Sequence, residues 1–183
     1  MKQVEDAEIL SKFQDEKTRN NAFNLLLQKY QQKIYWHIRR LVIDHDDADD
    51  LVQETFVKVW KNLHSFRSDS QLYTWIYRIA TNESITFLNK KKNRNNVSLD
   101  EVNSELAETL ASSSHFDGDK IQRKLQEAIL TLPEKQRIIF NMKYFDDMKY
   151  EEISEVLGTT VGALKASFHI AVKKIEAILI NQD

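Results

Sequence analysis

Apolar side chains in the first half of the chain recur three or four residues apart. Phe23, Leu26, Leu27, Tyr30, Ile34, Ile38 and Leu41 fall on one stripe, which predicts an amphipathic helix with one buried face. Asp44 to Asp50 (DHDDADD) then loads acid onto the start of the next helix, where the macrodipole favours it. Leu51, Val52, Thr55, Phe56 and Val59 form the inward stripe of that helix. A third segment, from about Leu72 to Leu88, places Leu72, Ile76, Ile79, Ala80 and Phe87 inward. The pattern breaks at Lys90 to Asn96 (KKKNRNN), and Ser, Asn, Asp and Glu dominate from there to Asp119. Such a stretch cannot bury enough apolar surface to fold alone and reads as a linker. Periodicity resumes with Ile121, Leu125, Ala128 and Ile129, and Pro133 suits the first turn of a helix that turns Ile138, Ile139 and Met142 inward. The expected fold is all-α: a helix bundle over 1–92, an acidic flexible linker over 93–119, and a second small helical domain over 120–183.

The segment YEEISEVLGTTVGALKASFHIAVKKI, Tyr150 to Ile175, carries a finer pattern. Ile153, Val156 and Leu157 make a short amphipathic helix, and Gly158 stands where a left-handed residue ends one. Thr159 and Thr160 can cap a second helix whose core stripe is Val161, Leu164, Phe168 and Val172. Two short helices across a Gly-containing turn make a helix-turn-helix, whose second helix enters the major groove while the first braces on phosphates. Thr160, Gly162, Ala163, Lys165, Ala166 and His169 are then the positions able to face DNA. An ordinary helical hairpin has the same pattern, so this segment alone leaves DNA binding open.

Composition narrows the classes. Three Gly and one Pro in 183 residues leave few punctuators for a sheet protein. With no Cys there is neither a disulfide framework nor a thiolate site. MKQVEDAEIL lacks the basic-then-apolar order of a signal peptide, and no apolar run approaches the ~20 residues of a membrane span, so a cytoplasmic location is expected. Net charge is −2, unevenly spread: 15 Lys+Arg against 13 Asp+Glu over 1–92, one against six over 93–119, ten against nine over 120–183. A chain this weakly basic is expected to bind DNA poorly alone, because phosphate neutralisation supplies most non-specific affinity.

The context missing from the helix-turn-helix lies upstream. DLVQETFVKVWKNLHSFRSDSQLYTWIYRIATNESITFLNKKKNR, Asp50 to Arg94, closely resembles the core of the extracytoplasmic-function (ECF) sigma factors, and LPEKQRIIFNMKYFDDMKYEEISEVLG resembles their second domain. The two lie in the right order with a linker between. The resemblance implies that the chain binds core RNA polymerase and directs promoter-specific initiation, its first domain opening the −10 element and its second reading the −35 element. It places DLVQETF against the polymerase clamp helices, with Asp50, Gln53, Glu54 and Val57 at i, i+3, i+4 and i+7 on one helix face. FRSDSQLYTWIYRIATN resembles the promoter-opening segment: Phe66 to Gln71, including Arg67 and Ser70, would receive a flipped base. Trp75, Arg78 and Asn82 share a face that would meet the non-template strand, by stacking, by phosphate contact and by base-edge contact. Lys90, Lys91, Lys92 and Arg94 form a basic cluster suited to nearby phosphates. In this family the linker threads polymerase channels, where its acid would either mimic phosphate or belong to a plain flexible spacer. The recognition helix departs from the family pattern, with Ala163, Ala166 and Ile170 where Thr, Ser and Arg are common, so −35 readout is left to Thr160, Lys165, Ser167, His169 and Lys173.

No catalytic constellation is present: the five His lack HExxH pairing, and there is neither a Gly-rich phosphate loop nor a GxSxG elbow. An EF-hand numbered from Asp44 would need Gly at Asp49 and Glu at Thr55, so no calcium loop, other metal or cofactor is expected, and the chain reads as no enzyme. Two other readings remain. One is a free-standing helix-turn-helix regulator, which would leave Asp50–Arg94 unexplained. The other is a decoy that holds polymerase without reading a promoter. By resemblance, the expected partners are core RNA polymerase, promoter DNA and an anti-sigma factor, with no membrane insertion of the chain's own.

Overall fold

The structure, a computed structural model, describes residues 5–95, 99–112 and 120–180. Within these the chain is helical and contains no strand. The helices are α1 (Asp6–Gln14), α2 (Arg19–Val42), α3 (His45–Asn62), α4 (Leu72–Asn95), α5 (Leu99–Ser112), α6 (Lys120–Leu130), α7 (Glu134–Tyr144), α8 (Tyr150–Leu157) and α9 (Val161–Ile180), with a 3-10 turn at Leu63–Ser65. None of them is long and apolar enough to cross a membrane.

Helices α2, α3 and α4 pack mutually, as the periodicity requires. Leu26, Tyr30, Ile34, Ile38 and Leu41 are buried along α2, with Phe23 and Leu27 at its margin. The expected α3 stripe of Leu51, Val52, Thr55, Phe56 and Val59 is buried throughout. In α4 the core takes Leu72, Ile76, Tyr77, Ala80 and Leu88, while Ile79 and Phe87 sit at the edge. Asp44 caps α3, its carboxylate accepting from the Asp47 N–H at 3.0 Å. The residue before it, Ile43, has φ +65°, a rare conformation for a β-branched side chain, and is completely buried. Burial of that side chain offsets the strain of the sharp α2–α3 corner. Helix α1, which the periodicity did not reveal, lays Ile9 and Phe13 on this bundle, with Phe13 and Phe23 both edge-on to Trp60.

One finding differs from expectation, and a second concerns what the sequence reading left unaddressed. The acidic segment is not structureless: residues 99–112 form α5, which buries Leu106 and Leu110 and ties Asn103 to the buried Arg137 at 3.0 Å and Glu105 to Lys91 at 3.0 Å. Two Leu one turn apart give a stripe too narrow to stand out against so much acid, and it is stable because it has α4 and α6 to lie on. Residues 96–98 and 113–119, the rest of the acidic segment beyond α4, lie outside the described residues.

The second finding is that the two domains touch. Helix α8 packs on α4 and α7 on α2. Ile138, Ile139, Met142, Met148, Ile153 and Val156 of the second domain join the core of the first, while a smaller core of Ala128, Ile129, Leu132, Phe140, Ala171 and Ile175 holds the second domain together. Helix α7 therefore lies between two cores. That is why Arg137 through Met142 are all buried, although the hydrophobic pattern marks only one face.

Truncating the centre of the α2 stripe tests this account. Ile38→Ala is expected to cost about 2–5 kcal/mol of folding stability, read from urea denaturation; a loss below ~1 kcal/mol would mean that the bundle is loosely packed there.

Candidate nucleic-acid interface

A cleft of about 480 Å³ opens where the end of α3, the loop after it and the start of α4 meet. All six residues expected to meet the −10 element line it: Phe66, Arg67, Ser70, Trp75, Arg78 and Asn82. Local structure explains the convergence. The 3-10 turn Leu63–Ser65 tucks Leu63 into the core, Ser65 Oγ donates to the Asn62 carbonyl, and Ser68 takes φ +58°. The chain then reverses into α4, whose first turn is held by Thr74 Oγ1 donating to the Gln71 carbonyl. With Ile76 and Ala80 buried, the helical repeat turns Arg78 and Asn82 outward.

Phe66 and Trp75 are half-buried, with ring centroids 5.2 Å apart, and form an aromatic wall. Trp75 is thus both a packing residue and a cleft residue. The remaining wall is polar: Lys58, Asn62, Asp69 and Glu83 line it as well. Sequence reading missed Lys58, Asn62 and Glu83, while Asp69 lies within the Phe66–Gln71 loop that it named. Asn62 is fixed by its amide donating to the Lys58 carbonyl, and Lys58 pairs with Glu83 across α3 and α4. An aromatic wall facing amides, hydroxyls and both signs of charge has the elements a nucleobase needs, a π-face to stack on and donors and acceptors at its edge.

Asp50, Gln53, Glu54 and Val57 are all exposed on one face of α3, Val57 at 50%. A shallow groove between α2 and α3, lined by Leu27, Tyr35, Trp36, Asp49 and Val52, lies on the same helix. In the second domain the turn has the expected geometry. Gly158 has φ +62° and closes α8 with its N–H on the Ser154 carbonyl, and Thr160 Oγ1 accepts from the Ala163 N–H at 3.3 Å to cap α9. Helix α9 buries Leu164, Ala171 and Ile175 and exposes Gly162, Ala166, His169 and Lys173 on its outer face. Lys165, though exposed, stands over the Tyr150 ring at 5.7 Å, and Ser167 sits on the half-buried flank. The five expected −35 residues therefore do not share one face. Lys90 is exposed and Lys91 is committed to Glu105; the side chain of Arg94 lies outside the described residues.

Contacts between the domains reach the cleft. Arg78 donates to the Glu155 carbonyl at the end of α8, and Thr74 Oγ1 lies 2.9 Å from the Glu155 carboxylate. Tyr73 donates to Glu152 at 3.3 Å, and burial, then that carboxylate, pushes the Tyr73 phenol well above its usual pKa. Further along, the Asp146 carboxylate accepts from Arg40 at 2.8 Å and lies 3.1 Å from His37 Nδ1. The Arg40 guanidinium also lies over the Phe145 ring at 4.6 Å.

Comparison with known proteins agrees with this arrangement. Residues 26–94 match the family Sigma-70 region 2, and residues 122–175 match Sigma-70, region 4. The chain is 32% identical to the RNA polymerase sigma-H factor of Pseudomonas aeruginosa, over 97% of this chain and 95% of that protein. It is 32% identical to the ECF RNA polymerase sigma factor SigW of Bacillus subtilis, over 85% and 88% respectively. Among solved structures, the sigma factor RpoE in complex with the anti-sigma factor NepR from Bartonella quintana shares the fold with TM-score 0.67 and 20% identity, over 86% of this chain and 96% of that one. CnrH in complex with the cytosolic domain of CnrY does so with TM-score 0.69 and 23% identity, over 97% of this chain and all of the other.

The acidic start of α3 yields a pH prediction. Burial first, then Asp44, raises the Asp47 pKa above 3.8. The folded chain therefore holds this proton more tightly than the unfolded one, so ionised Asp47 costs stability above its folded pKa and the cost fades as pH falls through it. Asp47→Asn removes that titration. The melting temperature of the variant minus that of the parent is expected to be larger at pH 7 than at pH 3.5; a flat difference would refute the shift.

Proposed function

The chain belongs to the ECF sigma factors, and from that membership we propose how its surfaces divide the work of promoter-specific transcription initiation with core RNA polymerase. The exposed α3 face of Asp50, Gln53, Glu54 and Val57 docks on the polymerase. The cleft of Phe66, Arg67, Ser70, Trp75, Arg78 and Asn82 captures a base unstacked from the −10 element, and unstacking, which costs a few kcal/mol, is offset by the fitted pocket. The outer face of α9, chiefly His169 and Lys173 with the Thr160 cap, meets the −35 element, while Lys165 and Ser167 contribute from its flanks. The segment 93–119 joins these two readers. Polymerase performs the chemistry, and the sigma factor supplies binding energy where polymerase works, in the cytoplasm.

One observation carries this reading: six residues spread over Phe66 to Asn82 converge on one cleft that offers stacking and hydrogen-bonding surface together. A free-standing regulator has no use for it, and a decoy has no need of it. Regulation in trans by an anti-sigma factor fits the same fold, since the neighbour from Bartonella quintana is bound to one.

Purified protein mixed with core polymerase and a promoter library tests the whole. Tight binding with initiation from a narrow promoter set is expected; binding without initiation would favour a decoy, and duplex binding without polymerase a free-standing regulator. Within that assay, Asn82→Ala is expected to lower open-complex formation by roughly 5–150-fold, corresponding to ~1–3 kcal/mol, with polymerase affinity nearly unchanged. Equal loss of both would make Asn82 structural. Conversely, Asp50→Lys with Glu54→Lys is expected to weaken polymerase binding at least ~10-fold while leaving the fold intact by circular dichroism; unaltered affinity would remove that face from the interface.

A further inference from the structure

A second cavity, of about 580 Å³, lies where α1, α2, the start of α4 and the α7–α8 turn meet, and it shares no lining residue with the cleft described above. Its volume is that of a pocket for a small organic molecule. Aromatic rings supply much of its wall: Tyr30 and Trp36 from α2, Tyr73 and Tyr77 from α4, and Phe145 from the turn.

Tyr77 is the residue that asks for a ligand. It is 2% exposed, and its ring packs 5.1 Å from Tyr73 and 4.8 Å from His37, yet among the described residues nothing hydrogen-bonds its hydroxyl. A buried phenol normally finds a partner. The other two tyrosines of the cavity have one: Tyr30 donates to Asp6 at 2.7 Å and Tyr73 to Glu152 at 3.3 Å. Burial, then the Asp146 carboxylate, pushes the Tyr77 phenol well above its usual pKa, so it stays protonated and offers a donor to whatever fills the cavity.

The charges around the cavity sort by commitment. Asp6 receives Lys29 as well as Tyr30, Asp146 pairs with Arg40, and Glu152 receives Tyr73 and the Lys149 N–H. The ammonium groups of Lys33 and Lys149 and the carboxylate of Asp147 belong to exposed residues and have no ion-pair partner among the described residues. Two uncommitted cations against one acid, over an aromatic interior with one inner donor, suit a planar ring bearing a single negative charge. A phosphate monoester carries close to two charges at neutral pH and is best met by arginine forks or helix N–H groups. The one arginine of the cavity is already committed, and Asp147 and Glu152 would repel the second charge.

We propose that this cavity binds a small aromatic carboxylate: its ring lies among Trp36, Tyr73 and Tyr77, a polar atom on it accepts from the Tyr77 hydroxyl, and its carboxylate meets Lys33 or Lys149. The assignment does not depend on the reading of the −10 cleft.

The probes are 4-hydroxybenzoate and indole-3-acetate, added to the full-length protein. Proton–nitrogen NMR titration is expected to shift the Trp36 indole N–H signal, identified by its loss in Trp36→Phe, with a Kd on the order of 1 mM or tighter, the range that ligand efficiency sets for about a dozen heavy atoms. Tyr77→Phe removes only a hydroxyl that has no protein partner to lose, so the melting temperature is expected to hold while binding weakens about five- to tenfold. Lys33→Gln with Lys149→Gln is expected to abolish the preference for 4-hydroxybenzoate over 4-hydroxybenzamide, and adenosine monophosphate is expected to bind more weakly than either acid. A Trp36 signal that stays still well above that concentration would overturn the site, as would unaltered affinity in Tyr77→Phe. Equal binding of acid and amide by the parent, or a preference that survives loss of both lysines, would overturn the charge recognition. Tighter binding of adenosine monophosphate would overturn the carboxylate in favour of a nucleotide.

Discussion

The packing of α4 is the constraint on which the rest of the molecule depends. This helix has to spend one face on the core and keep the other presentable to a nucleic acid. Ile76, Ala80, Ser84 and Leu88 make the inward line, with two small side chains where α2 and α3 approach. Ser84 satisfies its hydroxyl within the helix, on the Ala80 carbonyl at 2.9 Å, so close approach leaves no orphaned polar group there. Trp75, Arg78 and Asn82 are then held at fixed angles from a rigid support. The base capture proposed for this cleft would need that, because a pocket that must first organise itself would give back the free energy of capture.

The low net charge of the chain acquires a physical sense in this architecture. A strongly basic surface would bind any duplex and hold the protein there. Here many cations are already committed: Lys58 to Glu83, Lys91 to Glu105, Arg40 to Asp146, Arg78 to the end of α8. On the proposed function, affinity for DNA would be deferred to the complex with polymerase, where position is supplied by the larger partner and the sigma factor adds selectivity.

Much of this was legible in the sequence because it is local. The α2 and α3 stripes, the Gly158 turn and the Thr160 cap are each written within a few neighbouring residues, and periodicity or capping chemistry reads them directly. The convergence of Phe66 through Asn82 was legible too, though only because the motif resembled a known family; spacing alone would not have brought a loop and a helix face together. What stayed hidden is nonlocal. His37 and Arg40 lie more than 100 residues from Asp146, and nothing in either segment names the other. Helix α5 was masked by its own composition, since two buried Leu decide it against a background of acid. Lys58, Asn62 and Glu83 carry no local signal, and only the fold shows them on a common wall with the loop residues.

The shared core has a bearing on how long the protein lasts. Half of α7 and much of α8 rest on apolar contacts that belong to the other domain, so separation uncovers Met142, Met148, Ile153 and Val156. A chain whose domains had come apart would present adhesive surface and loosened helices, the substrate that proteases and aggregation both favour.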